Sequence, residues 1–407
     1  ARVAIVGGGF AGLHAALSLA ERGVDDVVLL EREDIGFGAS GRNGGFVFGG
    51  FSLDEAALLA RVGPDRARRL FALTTAAVNR IRSLVATHAI DCDLVDAGVI
   101  WANWFRDPAP LRRRQRLLAE SFGVELDWLD EAALQARVAS PRYHAGLFER
   151  NAMHLDPLAF ARGLARAATA RGVRIHEHSG VSGLEREGSL WRLRMQGGSL
   201  LAGQVILACG GYRTPLRRRI DRAVLPIATF VAVTEPLGER LAACLATQAA
   251  VYDTRFAFDY YHPLPDRRLL WGGRISIRDR PPRAVQELLR RDLLRVFPAL
   301  AGVRIEYAWS GLMSYARHQM PQIGRGEGAD TGLWWAQGFG GHGLAPTCAA
   351  GGLLAEALAE GGERWRLFAD FGLADVHGRL GLAAAQCGYW WREARDAWKT
   401  RWETWTK

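Results

Sequence analysis

Hydrophobic positions in the first thirty residues form two short unbroken runs separated by a stretch of helical period. Residues 2–6 read as a buried strand, 7–12 as a glycine turn and 13–22 as a helix that Gly23 ends. Residues 27–30 make a second buried strand closed by Glu31, so the chain opens on a βαβ unit. A helical pattern with arginine-rich outer faces runs from 53 to about 88, followed by a strand over 95–101 and helices over 108–118 and 131–138. Asp156 caps a helix that Pro157 opens and Gly172 stops, and 173–178 is a strand. Residues 191–195 and 204–208 read as further strands. From about 225 to 277 polar and apolar positions alternate as in strands, with a hairpin turn at Pro263, Pro265 and Asp266. Residues 284–297 are helical, 333–336 form a last buried strand, and a glycine loop leads to a helix over 346–359.

The turn after the first strand spells Gly7-x-Gly9-x-x-Gly12 and opens a helix. Gly7 permits the tight turn, Gly9 leaves room for a pyrophosphate against the backbone, and Gly12 lets helix and strand pack closely. The N–H groups at the start of that helix, beginning at Phe10 and Ala11, suit an anion. Glu31, about twenty residues on and followed by Arg32, is placed for ribose hydroxyls. Strand, turn, helix and acid in register predict a dinucleotide site.

Composition narrows the partners. The chain has 407 residues, 49% hydrophobic and 23% charged, which suits a folded chain of two domains. Its formal net charge is +9, yet the basic residues are scattered, and no nucleic-acid motif accompanies the runs at 112–114 and 217–219. The only lysines are Lys399 and Lys407, so no lysine in the body of the chain can form a Schiff base or sit over a cofactor. Apolar runs are too short for a membrane helix, and no basic leader with an apolar signal core precedes the first strand. Five dispersed cysteines without a C-x-x-C pair suit free thiols in a reducing, cytoplasmic setting. His176 and His178 alternate on a strand without a third ligand, so no metal is expected.

With the turn at 7–12, four further segments resemble the D-amino-acid-oxidase-like FAD oxidoreductases, the family that includes glycine and sarcosine oxidases. The segment 36–45, Gly-Phe-Gly-Ala-Ser-Gly-Arg-Asn-Gly-Gly, looks most like the γ-glutamylputrescine oxidoreductase branch. The resemblance implies that Gly38, Ala39, Ser40, Arg42, Asn43, Gly44 and Gly45 wrap the pyrophosphate and approach the flavin, with Ser40 and Asn43 donating hydrogen bonds. Residues 155–181 resemble the stretch in which the position of Val181 meets the adenine side. Residues 205–211, with Cys209 and Gly210, resemble the segment beside FAD. The loop Gly338-Phe339-Gly340-Gly341-His342-Gly343 and the following Leu344 lead to a helix whose start would support negative charge on the reduced flavin.

The family reading fixes the expected architecture. It is an α/β fold, α+β overall, with a discontinuous Rossmann-like FAD-binding domain over 1–85, 150–216 and 318–363. A mainly antiparallel β-sheet substrate domain occupies 86–149 and 217–317, and 364–407 is a C-terminal helical tail. Where relatives carry a flavin-linking cysteine this chain has 311–315 without one, and where others use histidine it has Arg42 and Asn43. Non-covalent FAD is therefore expected. The family lysine over the flavin falls near Trp271, and a second, substrate-binding lysine falls near Ala345. A cation for reaction with oxygen would have to come from His342, His318 or Arg274.

The resemblance implies hydride transfer from the carbon beside an amine nitrogen to the flavin, with hydrolysis of the imine. The expected substrate is an amino acid, an N-substituted amino acid or an acylated polyamine, and the expected acceptor is O2. Alternatives are a quinone-linked, membrane-associated dehydrogenase and a non-catalytic flavin subunit of an assembly. Candidate pocket residues are Tyr260 and Tyr261 of the hairpin, Trp271, Arg274 as a carboxylate fork, His318 and His342. Core packing, a surface ion pair and a structural turn are the competing readings for the tyrosines, Arg274 and His318. Trp391, Trp398, Trp402 and Trp405 lie on one helical stripe, suited to docking on the protein or a subunit, or to a membrane surface. Oligomeric state stays open.

Overall fold

The computed structural model describes residues 1–212 and 215–405, without the side chains of Thr404 and Trp405. Lys407, the Trp405 side chain and positions 213 and 214 of the expected 150–216 segment lie outside the described residues. The chain builds a mixed α/β fold around two large sheets. One sheet has six strands in the order Gln322–Arg325, Leu333–Gln337, Gln204–Leu207, Val3–Val6, Val27–Leu30 and Arg174–His176. Its neighbours run parallel except for the first pair. Val3–Val6 and Val27–Leu30 are buried at every position. That burial explains why their sequence is continuously apolar rather than alternating.

Helices Phe10–Glu21, Pro64–Thr87 and Leu344–Glu360 share a core with this sheet. A Cβ at Gly351 would fall 2.6 Å from the Ala15 nitrogen, so the first and third of these helices approach backbone to backbone. Asp156 accepts hydrogen bonds from Leu158 and Ala159 and starts helix Pro157–Thr169, as expected.

The second sheet has eight strands in the order Ile305–Ala316, Val224–Thr234, Leu269–Ser276, Tyr260–Pro263, Ala250–Asp253, Val99–Ala102, Gly146–Glu149 and Asp127–Leu129. Only the pairing of Ala250–Asp253 with Val99–Ala102 is parallel. Helix Pro282–Val296 shares a separate core with this sheet.

Local expectations shift at glycines. The long helix expected from 53 to 88 is two helices, Glu55–Val62 and Pro64–Thr87, parted at Gly63 with φ +76°. The strand expected from 95 starts only at Val99, after Gly98 at φ +78°. Leu190–Met195 is the middle of a three-stranded sheet whose flanking strands, Val181–Glu187 and Gly198–Ala202, the hydrophobic pattern did not reveal. Their outer positions are largely exposed, which dilutes alternation.

The tail expected over 364–407 forms a 3-10 helix, Arg364–Phe371, and then one long helix, Gly378–Trp405. It docks along one face, while Trp390, Trp391, Trp398 and Trp402 stay exposed and Trp398 stacks on Trp402 at 5.8 Å. Among the described residues no helix is long and apolar enough to cross a membrane.

Candidate active site

The glycine turn opens into a narrow cleft of about 110 Å³. Gly7, Gly9, Glu31, Arg32, Gly38, Ala39, Ser40, Val181, Cys209 and Gly210 line it. Gly7 stands at φ +115°, and a Cβ there would fall 2.6 Å from the Ala208 carbonyl oxygen, so only glycine fits. The Ser40 hydroxyl accepts from the Phe10 N–H at 2.9 Å, joining the loop to the helix start. Gly9 has no side chain to cap that helix, and with Ser40 taking only the Phe10 N–H the N-terminal dipole stays toward the cleft. The Glu31 carboxylate accepts from Gly8 at 2.5 Å and from Glu33 at 2.9 Å, which fixes it at the wall.

This cleft runs into a wide chamber of about 600 Å³, and Gly9, Ala39, Ser40, Ala208, Gly210 and Gly211 border both. Phe10, Ala11, Arg42, Asn43, Gly44, Phe339, Gly340, Gly341, His342, Gly343, Leu344 and Tyr260 stand on the chamber wall. Narrow glycine-walled limb and wide chamber together form an elongated site that fits an extended dinucleotide with a second ligand beside it. Helix Leu344–Glu360 starts at the chamber without a side-chain cap. A belt of aromatic rings closes one side: Phe48 stacks on Tyr252 at 5.5 Å, Tyr252 meets Phe258 at 5.8 Å, and Tyr260 meets Phe46 at 5.6 Å. Apart from Tyr260, the residues of this belt were not among the pocket candidates read from the sequence. The Phe46-x-Phe48 alternation directly after the glycine loop was the available signal.

Gly45 and Gly338, expected at the cofactor, serve packing instead, and Gly12 packs helix against strand as expected. A Cβ at Gly12 would strike the Gly7 carbonyl oxygen at 2.0 Å, one at Gly45 the Leu155 oxygen at 1.8 Å, and one at Gly338 the Ala316 side chain at 3.1 Å. None of the three lines the cavity. Asn43 lies on the wall, but its amide donates to the Ala39 and Ser40 carbonyls, both at 2.9 Å, and its oxygen accepts from Gly45. It organises the loop rather than donating to a ligand.

Most catalytic candidates move. Tyr261 and Trp271 are fully buried on the opposite face of the sheet, stacked at 4.5 Å within the second core. A strand's alternate residues face opposite sides, and Gly272 rather than Trp271 lies against the Tyr260 ring. His318 is buried away from the chamber. It packs on Phe371 at 5.5 Å and accepts from the Met320 N–H at 3.2 Å, a structural turn.

Arg274 reaches the chamber wall but is already spent. The strand bulges at Arg274, where pairing jumps from Gly273 to Ile275 and φ is +60°. The bulge aims the guanidinium at helix Pro282–Val296, where it makes a two-pronged ion pair with buried Asp292 at 2.7 and 2.6 Å. Glu393 lies 3.5 Å away on its other side. It is no vacant carboxylate fork.

His342 touches the chamber, and its Nε2–H donates to the Phe48 carbonyl at 3.1 Å. Burial pushes its pKa down to about 4, so the ring is neutral at physiological pH. Burial lowers His318 as well. Neither histidine brings a cation, and Arg274 brings one that two carboxylates offset. Cys209 is pushed up to about 12 by burial and stays a thiol. Among the described residues no group of histidines, cysteines and acids could hold a metal.

Comparison with known proteins agrees with this geometry. The sequence model of the family described as "FAD dependent oxidoreductase" matches residues 2–357. Gamma-glutamylputrescine oxidoreductase of Escherichia coli is 36% identical over 370 residues, 90% of this chain and 86% of that protein. Glycine oxidase of Geobacillus kaustophilus is 25% identical, over 93% of this chain and 98% of that one. Its crystal structure superposes with a TM-score of 0.76, covering 92% of this chain and 98% of that one at 22% identity. The structure of L-proline dehydrogenase from P. horikoshii gives 0.74 at 18% identity, over 90% and 95%.

Proposed function

Because this chain belongs to the family of FAD-dependent oxidoreductases that act on amines or amino acids, we propose that it oxidises the C–N bond of an acylated polyamine or N-substituted amino acid. The observation that carries this reading is the union of a glycine-walled dinucleotide limb with a chamber belted by aromatic rings. In this reading FAD is held without a covalent bond, by the backbone at Gly7 and Gly9, by Glu31, and by the loop that Ser40 and Asn43 brace. When bound, the flavin supplies the two-electron acceptor that turns an amine into an imine, which water hydrolyses.

The chain's own part is to bind, orient and dry. Phe48, Tyr252, Phe258 and Tyr260 offer ring faces that attract an arriving ammonium and exclude water from the reacting end. Tyr260, pushed up to about 12 by burial, keeps its proton and works as a neutral wall. The uncapped start of helix Leu344–Glu360 offers a positive dipole to negative charge that builds in the chamber. The likeness to gamma-glutamylputrescine oxidoreductase supports an acylated polyamine over a free amino acid.

Oxygen as acceptor belongs to the same proposal, with the catalytic domain organisation over 1–85, 150–216 and 318–363 for FAD and 86–149 and 217–317 for substrate. A cytoplasmic setting suits five free cysteines. A second reading, a quinone-linked dehydrogenase at a membrane surface, draws support from the exposed tryptophans of the C-terminal helix. Anaerobic mixing of holoprotein with a panel of amines and amino acids tests the reaction: the substrate bleaches the flavin absorbance, and a panel that leaves it unbleached overturns the proposal. Reoxidation by oxygen against a quinone then separates the two acceptors.

A further inference from the structure

Among the described residues four arginines reach the wide chamber, and three are already committed. Arg255 is clamped by Asp253 at 2.5 Å and by Asp259. Arg274 is held by Asp292 and Glu393. Arg42 donates to the Phe37 carbonyl at 2.7 Å and to the Ser310 carbonyl at 3.3 Å. Arg392 differs. Among the described residues it has no carboxylate partner, and its guanidinium lies over the Phe256 ring, 4.8 Å from the centre. It is half-buried and borders the chamber, not the narrow limb.

Arg392 rides on helix Gly378–Trp405, beyond the residues 2–357 that the family shares. The helix is pinned to the site. Asp396 accepts from the Phe256 N–H at 2.7 Å, Gln386 from Ile277 at 3.2 Å, and Thr400 from the Trp104 indole at 3.1 Å. Tyr389, three residues before Arg392 on the same face, meets the Phe256 ring at 5.7 Å. These contacts hold the Arg392 backbone at the wall while no carboxylate among the described residues answers its charge. A guanidinium fork at the edge of a mostly aromatic chamber matches a planar carboxylate. The one carboxylate on that wall, Asp54, caps a helix by accepting from Ala57.

We propose that Arg392 binds the carboxylate at the non-reacting end of the amine substrate, so that the C-terminal helix selects amines bearing an acidic acyl group. This rests on the amine-oxidation reading above and deepens it. The test compares two amides of putrescine with the same reacting amine, one γ-glutamyl and one acetyl, on FAD-loaded wild type, Arg392→Gln and Arg392→Lys. The ratio of kcat/KM for the glutamyl over the acetyl amide falls about tenfold or more in Arg392→Gln, the size expected of one charge-assisted hydrogen bond, and recovers in part in Arg392→Lys. The loss appears in KM rather than kcat. A ratio that stays unchanged overturns the assignment, provided FAD content and melting temperature match wild type. If wild type oxidises neither amide, the acylated-polyamine reading fails at that step. Titration of glutaric acid monoamide against flavin absorbance then decides Arg392 alone. Binding about tenfold weaker to Arg392→Gln supports it, and equal or absent binding to wild type sinks it.

Discussion

At Arg274 a left-handed backbone and a buried acid hold one another in place. Asp292 is 1% exposed, and without Arg274 its charge is left only the half-exposed Arg295 at 3.3 Å in place of a two-pronged partner. Arg274→Ala should therefore cost about 3 kcal/mol in denaturant unfolding, with loss of stability rather than a selective rise in KM as its signature. Nothing in the sequence announced the bulge, because alternation read through residues 269–274 gives every side chain a face without revealing an inserted residue. Alternation sets Tyr260 and Tyr261 on opposite faces but does not say which face meets the cavity; that choice depends on elements some two hundred residues away. The glycine turn was legible because its spacing carries backbone geometry within a single local unit. His342 gives a second check. Burial outweighs the hydrogen bond to Phe48 and the nearby Glu55 and keeps its ring neutral, so a two-dimensional NMR titration should place its midpoint near 4, with no step between pH 6 and 8.

Among elements, the helix Ala109–Phe122 meets the strand Val99–Ala102 through a buried charge cluster. Arg114 donates to Glu55 at 2.7 Å and lies 4.0 Å from the Trp101 ring centre, with Glu149 nearby. Burial raises Glu149 to about 7, outweighing the attraction of Arg114. A folded-state pKa above the unfolded value means the folded protein binds more protons between about pH 4.5 and 7. Stability from this group is thus lost as pH rises through that window. Histidines His14, His154 and His342, each pushed down by burial, act oppositely and favour the fold as pH rises from about 4 to 6.5. Glu149→Gln removes only the first effect. The melting temperature of the variant minus that of wild type should therefore climb between pH 5 and 7.5, and a flat difference would refute a buried proton at Glu149. Such clusters escape sequence reading because residues 55, 114 and 149 share no spacing. Long periodic elements did not escape: helices near 13–22, 157–169 and 344–360 follow directly from apolar period and caps.

Across the whole molecule the two large sheets have separate cores, and the cavity draws its walls from both sheets: Gly9, Ser40 and His342 from one side, Tyr260, Tyr252 and Met313 from the other. A ligand filling that cavity touches elements of both sheets, so FAD should act as a folding ligand as well as a cofactor. Mass action sets the size: free FAD at a hundred times its dissociation constant adds about 2.7 kcal/mol to unfolding. For a chain of this length that is a rise of several degrees in melting temperature, continuing with the logarithm of FAD concentration. Because 311–315 lacks a cysteine and Cys209 stays a buried thiol, acid precipitation should leave all the flavin in the supernatant. Apoprotein prepared that way and titrated with FAD gives the curve directly by tryptophan fluorescence. A melting temperature indifferent to FAD would mean that the limb at Gly7 and the belt at Tyr252 do not hold one molecule between them, and flavin retained in the pellet would mean a bond the wall residues do not foretell.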